Sequence, residues 1–173
     1  MSQNIGCLPT NPPHYKSKEI INQVCTSDTD AWLIQEVGLC WTKMEDSAQW
    51  SERTQRTGNR LHSNFAYNKT ELRRSKVMQA GGVAVITTSV LIPRCTARGY
   101  DPLGLGRWAW TRLAGVNGFH TRLVSVYRPC KPSSQGTGTV YEQHRRRFGA
   151  NDRDPRQALL TDLRILHLGT PAG

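Results

Sequence analysis

Apolar and polar positions follow two periods along this chain, and each period marks a different kind of element. Ala31-Trp32-Leu33-Ile34 is apolar on both faces, and Gln35 and Glu36 then arrive just before Gly38. This pattern predicts a buried strand that ends in a carboxylate held at a sheet edge. Upstream, Ser2 to Cys7 is short and mildly apolar, and Pro9, Asn11, Pro12 and Pro13 interrupt regular structure. Within Lys16 to Cys25, the residues Ile20, Ile21, Val24 and Cys25 fall at helical spacing, and Ser27-Asp28-Thr29-Asp30 is a turn cluster. The chain is therefore expected to open as strand, helix, strand.

Leu39 to Arg60 is irregular, with Trp41 and Trp50 among charged residues, and suits a surface excursion with a short helix. Leu61 to Tyr67, Gly82 to Val90, Arg107 to Leu113 and Arg122 to Tyr127 read as four strands in an antiparallel run. Gly115-Val116-Asn117-Gly118 is turn chemistry, so the last two should pair as a hairpin. A Pro/Ser/Gly-rich loop, Pro129 to Gly138, precedes a basic helix from about Thr139 to Phe148. A final helix opens with Asp154 as cap and Pro155 as first residue, with Leu159, Leu160, Leu163, Leu166 and His167 as its buried stripe. No internal repeat is visible. The order of elements predicts an α+β layered sandwich, a mixed and mostly antiparallel sheet flanked by helices, in preference to a doubly wound parallel sheet.

A chain of 173 residues fits one domain with a real core. No stretch approaches the roughly 18 apolar residues of a spanning helix, and the N-terminus lacks the layout of a secretory signal, so an intracellular protein without a membrane partner is expected. Cys7, Cys25, Cys40, Cys95 and Cys130 are odd in number and form no CxxC pair, which argues against a disulfide framework and a zinc site. The net charge of +10 attracts polyanions, with nucleic acid, DNA or RNA, the obvious candidate partner. Arg107 and Arg145-Arg146-Arg147, with Arg73 and Arg74, are candidate phosphate contacts, and Trp41 or Trp50 could stack on exposed bases.

A strand-end carboxylate suits a hard cation such as Mg²⁺, which binds through one or two carboxylates and completes its shell with phosphate oxygens and water. A solvated strand-end acid satisfies the same local pattern. Two further residues bear on the choice: Asn4 on the first strand, and Tyr127 at the end of Leu123-Val124-Ser125-Val126-Tyr127-Arg128-Pro129.

Taken together, Asn4, Glu36 within LIQEVG, Tyr127 within VYRP, and the strand Gly81-Gly82-Val83-Ala84-Val85 resemble the endonuclease/exonuclease/phosphatase family. The segments SNFAYNKTE, DPLGLGRWAWTRL and VYEQHRRRF are similar to those of endonuclease domains that accompany reverse transcriptases in retroelements. The resemblance covers nearly the whole chain. It implies the N-terminal part of a four-layered, DNase I-like sandwich and a phosphodiesterase dependent on Mg²⁺ or Mn²⁺. In that family Asn4 and Glu36 would hold the metal environment and Tyr127 would stand near the substrate phosphate. The remainder of a reverse-transcriptase polyprotein is then an expected partner.

Two departures accompany the resemblance. Cys130 stands where the family has Asn after Y-x-P, and the family's later Asp-x-Asn strand and terminal Asp-His pair have no counterpart before Gly173. A truncated domain, weak or inactive in isolation, is the resulting expectation. His14, His62, His120, His144 and His167 lie in no matching motif. A non-catalytic basic nucleic-acid-binding module and a phosphatase of the same superfamily remain open as alternatives.

Overall fold

The computed structural model describes residues 1–6, 15–39, 61–70, 79–88, 90–131, 139–149 and 153–168. Contacts divide the chain into two units, Met1–Tyr127 and Arg128–Gly173. The whole is a mixed α+β protein, and among the described residues the strands lie in the first unit.

The first unit opens with β1 (Ser2–Asn4), α1 (Tyr15–Thr26) and β2 (Ala31–Gln35), the strand-helix-strand order that the periodicity predicts. β1 and β2 pair in parallel, with Asn4 opposite Gln35. β4 (Val83–Thr87) lies antiparallel between β2 and β3 (His62–Ala66), giving the order β1-β2-β4-β3. The helix covers one face: Ile20, Ile21 and Val24 pack with Trp32, Ile34, Val37, Ala84 and Ile86 in one buried cluster. All five β4 residues are buried, as expected of a continuous apolar run covered on both faces. Each fully buried Val or Ile contributes roughly 1.5–3 kcal/mol through its removal from water.

A second sheet, ordered β5-β6-β7, covers the other face. Its strands are β5 (Cys95–Tyr100), β6 (Trp108–Ala114) and β7 (His120–Val126), all antiparallel neighbours. Val83, Val85, Ala66 and Ala109 form the core between the sheets, with Leu33, Leu123 and Tyr127 packed against it. Polar clips fix one sheet over the other. Asn64 Nδ2 donates to the carbonyls of Gly99 and Trp110, both at 2.9 Å, and Ser125 Oγ donates to Ile34 O at 2.9 Å.

The structure corrects two sequence expectations here. The four strands read as one antiparallel run are divided between two sheets, with β3 and β4 in one and β6 and β7 in the other. β5 went unpredicted because its burial alternates only between intermediate and exposed, and it carries Arg98 and Gly99. Gly99 is needed there: the Trp110 indole lies across it, and a Cβ would stand 2.7 Å from three of the ring atoms.

The second unit holds α2 (Val140–Phe148) and α3 (Pro155–Leu168). Thr139 caps α2 by accepting from the Glu142 N–H at 3.3 Å, and Asp154 caps α3 by accepting from the Arg156 N–H at 2.7 Å with Pro155 as first residue. Val140, Tyr141 and His144 are buried on α2. On α3 the buried stripe differs from the expected one. Ala158 and Leu159 are buried, Leu163 and Leu166 are half-buried, and Leu160 and His167 are exposed. The helical period therefore runs from Pro155 through Ala158 and Leu159 to Leu163 and Leu166, keeping three of the five expected positions and leaving Leu160 and His167 outside the stripe. No helix among the described residues is long and apolar enough to cross a membrane.

Candidate functional site

The strand order places the predicted residues. Asn4 ends β1, and Glu36 follows the last residue of β2, its parallel neighbour, so both stand at the same end of adjacent strands. Asn4 is exposed, and its Oδ1 accepts from the Gly6 N–H at 2.9 Å in a turn that stops the strand. Glu36 is partly exposed and adopts a left-handed backbone, φ +57°.

Tyr127 reaches that end from the facing sheet. Because Gln35, Val83 and Ala66 align across β2, β4 and β3, this end also carries the residues that follow Ala66. There Asn68 bridges Leu105, and Gly106 approaches so closely that a Cβ would lie 2.6 Å from the Asn68 backbone nitrogen. The next residue, Arg107, accepts through its carbonyl from the Tyr127 N–H at 2.7 Å. Two residues before Tyr127, Ser125 Oγ is held on Ile34 O and lies 3.4 Å from Gln35 Nε2. Asn4, Glu36 and Tyr127 therefore share one end of the first unit.

Arg107 is corrected. Its side chain and that of Asp101 are fully buried, with Nε 2.7 Å from Asp101 Oδ2 and the second amino group 2.9 Å from Oδ1. Asp101 also accepts from the N–H groups of Leu103 and Arg107 at 3.0 and 3.3 Å. The pair closes the glycine-rich loop between β5 and β6, so Arg107 is a structural cation withdrawn from any phosphate. Arg145, Arg146 and Arg147 are exposed in the last turn of α2, with Arg145 Nε 2.9 Å from Glu142 Oε2. Trp41, Trp50, Arg73 and Arg74 lie outside the described residues.

Sequence reading missed a polar group behind the site: Asn68, Lys69, Thr70 and Gln79. Its signal was the segment SNFAYNKTE, noted only for likeness. Asn68 and Gln79 are buried, while Lys69 is exposed with its ammonium 5.3 Å from the centre of the Tyr67 ring. No histidine is found near Glu36 among the described residues of this unit. His62 starts β3 opposite Thr87, and His120 starts β7 opposite Ala114, both at the far end of their strands. Burial, and secondarily the Arg98 charge, lower the His62 pKa.

The donor chemistry at the shared end is hard oxygen: one carboxylate from Glu36 and one amide carbonyl from Asn4. The described residues contain no group of three or more His, Cys, Asp or Glu placed to enclose a metal. The set therefore fits a Mg²⁺ or Mn²⁺ ion that takes most of its shell from phosphate and water, and it does not fit a metal enclosed by protein ligands.

No protein-family model and no curated protein matches the chain. Among solved structures it is similar to a 3′ phosphatase, NExo, from Neisseria bound to a product DNA hairpin, at 16% identity and a TM-score of 0.44. The match covers 73% of this chain and 39% of that one, so the chain spans about two fifths of the neighbour's length.

Proposed function

We propose that this chain is the metal-holding part of a DNase I-like phosphodiesterase domain of the endonuclease/exonuclease/phosphatase family, of the retroelement type, acting on DNA. The observation that carries the reading is the parallel β1–β2 pairing, which sets Asn4 beside the end of β2 and leaves Glu36 at the rim that Tyr127 also reaches. Glu36 would hold a Mg²⁺ or Mn²⁺ ion. The Asn4 amide would orient the scissile phosphate, and the Tyr127 hydroxyl would donate to one of its oxygens. When bound, the ion supplies neutralisation of the charge that develops on the phosphate oxygens. The arginines of α2 would contact a DNA backbone, and the remainder of a reverse-transcriptase polyprotein would be a partner.

The test is nicking of supercoiled plasmid in Mg²⁺ by the chain. Weak nicking abolished both by chelation and by Glu36→Gln is expected, a loss of at least about 100-fold for removal of the one carboxylate that holds the ion. Nicking indifferent to both treatments contradicts the reading. DNA binding that depends on salt, needs no divalent ion and is accompanied by no cleavage would instead favour a basic binding module, as the net charge of +10 also permits.

A further inference from the structure

Glu36 is one of two non-glycine residues with positive φ among the described residues, and the β2–β4 ladder shows how it comes to be so. Gln35 faces Val83 in regular register. Beyond it, the Val37 N–H donates to Gly82 O at 3.2 Å and the Gly38 N–H to Gly81 O at 2.8 Å. The β2 side thus uses one more residue than the β4 side, and Glu36 is the extra residue of a bulge.

The bulge changes which side chain enters the core. Trp32 and Ile34 face α1, and unbroken alternation would send Glu36 after them into the same apolar cluster. Instead Val37, 3% exposed, takes that place, and Glu36 is left at the rim. Glycines at φ +88° and +89°, Gly81 and Gly82, accept the shift freely on the partner side, whereas Glu36 adopts a region that L side chains avoid.

Two buried amides brace the partner segment. Asn68 Nδ2 donates to Ala80 O at 3.3 Å, and its Oδ1 accepts from Thr70 N at 3.0 Å and Thr70 Oγ1 at 2.5 Å. The Gln79 N–H donates to Gly38 O at 2.9 Å, and Gln79 Nε2 donates to Thr70 O at 2.7 Å. Thr70, Asn68 and Gln79 thereby tie residues 79 and 80, which lead into Gly81 and Gly82, and Gly38 beyond the bulge into one network. We propose that Asn68 and Gln79 are positioning residues for Glu36, clamping residues 79 and 80, just ahead of Gly81 and Gly82, so that the bulge keeps the Glu36 carboxylate at the metal-holding rim. The functional half of this inference rests on the proposed metal site; the mechanical half does not.

The experiment measures melting temperature and Mn²⁺ affinity, by electron paramagnetic resonance, for the full chain, Glu36→Gly, Asn68→Ala, the double variant and Gln79→Ala. Glu36→Gly releases backbone strain and is expected to raise the melting temperature by about 2–4 °C while removing Mn²⁺ binding. In the Asn68→Ala background the bulge relaxes and that thermal gain disappears. Mn²⁺ binding should weaken about 10- to 100-fold in Asn68→Ala, as for loss of a group orienting a metal ligand, and less in Gln79→Ala, which keeps its backbone bond to Gly38 and serves if Asn68→Ala fails to fold. A thermal gain from Glu36→Gly of equal size in every background, or no gain at all, overturns the positioning role. Absence of Mn²⁺ binding by the unaltered chain overturns the metal reading, and the thermal cycle still decides the clamp.

Discussion

Arg107 donates two side-chain hydrogen bonds to Asp101 out of reach of solvent, and the carboxylate accepts from two backbone N–H groups as well. Removing either partner strands the other charge in a low-dielectric interior, which costs far more than the intact pair contributes. Asp101→Ala is therefore expected to lower unfolding free energy by about 3–5 kcal/mol in urea titrations, and an Asp101→Leu/Arg107→Met pair should recover most of that. The same residue shows a limit of reading side chains by type. Arg107 was legible as a cation, but a cation's role is set by what lies opposite it. Here the partner is only six residues upstream, across two glycines that bend the loop back. Glu36 was legible because it breaks an apolar run, whereas the left-handed turn that frees it from the core depends on Gly81 and Gly82, far along the chain.

Short-range rules govern the elements that were foreseen. The start of α3 follows from Asp154-Pro155, and the Asp154 carboxylate accepts from Arg156 N at 2.7 Å, from Arg156 Nη2 at 3.1 Å and from the Tyr141 hydroxyl at 3.2 Å. The Arg156 side-chain hydrogen bond, foremost, holds the Asp154 pKa at about 2 against an ordinary 3.8. Burial first, and the carboxylate second, push the Tyr141 phenol upward. A carboxyl whose folded-state pKa is depressed contributes its stabilisation fully above the unfolded value near 4 and loses it as pH falls towards 2. Helicity of the second unit, followed by circular dichroism, should decline across that window. Asp154→Ala should flatten the decline and lower stability at neutral pH by about 1 kcal/mol, as for other caps. β5 obeys no such local rule. It is an edge strand whose place is set by its pairing to β6 and by the Trp110 indole over Gly99, so its sequence carries little sign of it.

At the scale of the molecule, the two-sheet arrangement does what no single segment can, bringing residues 4, 36 and 127 to one end through a parallel pair and a facing strand. Motif likeness named these residues, but only the sheet order and the Ser125 clip explain their placement at one end. Charge acts over the same distances. With Arg107 withdrawn into the interior, the exposed arginines of α2 are the described candidates for backbone contact, and their part in a net charge of +10 can be measured directly. Each phosphate neutralised by a side chain releases counterions, so log K falls against log salt with a slope of about 0.9 per contact on B-DNA. Arg145→Gln/Arg146→Gln/Arg147→Gln should therefore reduce the slope for a short duplex, measured by fluorescence anisotropy from 50 to 200 mM salt, by up to about 2.7. Arg107→Gln differs in kind: it should unfold the loop between β5 and β6 before it alters any slope measured on folded protein. A triple variant with an unchanged slope would mean that these arginines only solvate their helix and take no part in the proposed DNA contact.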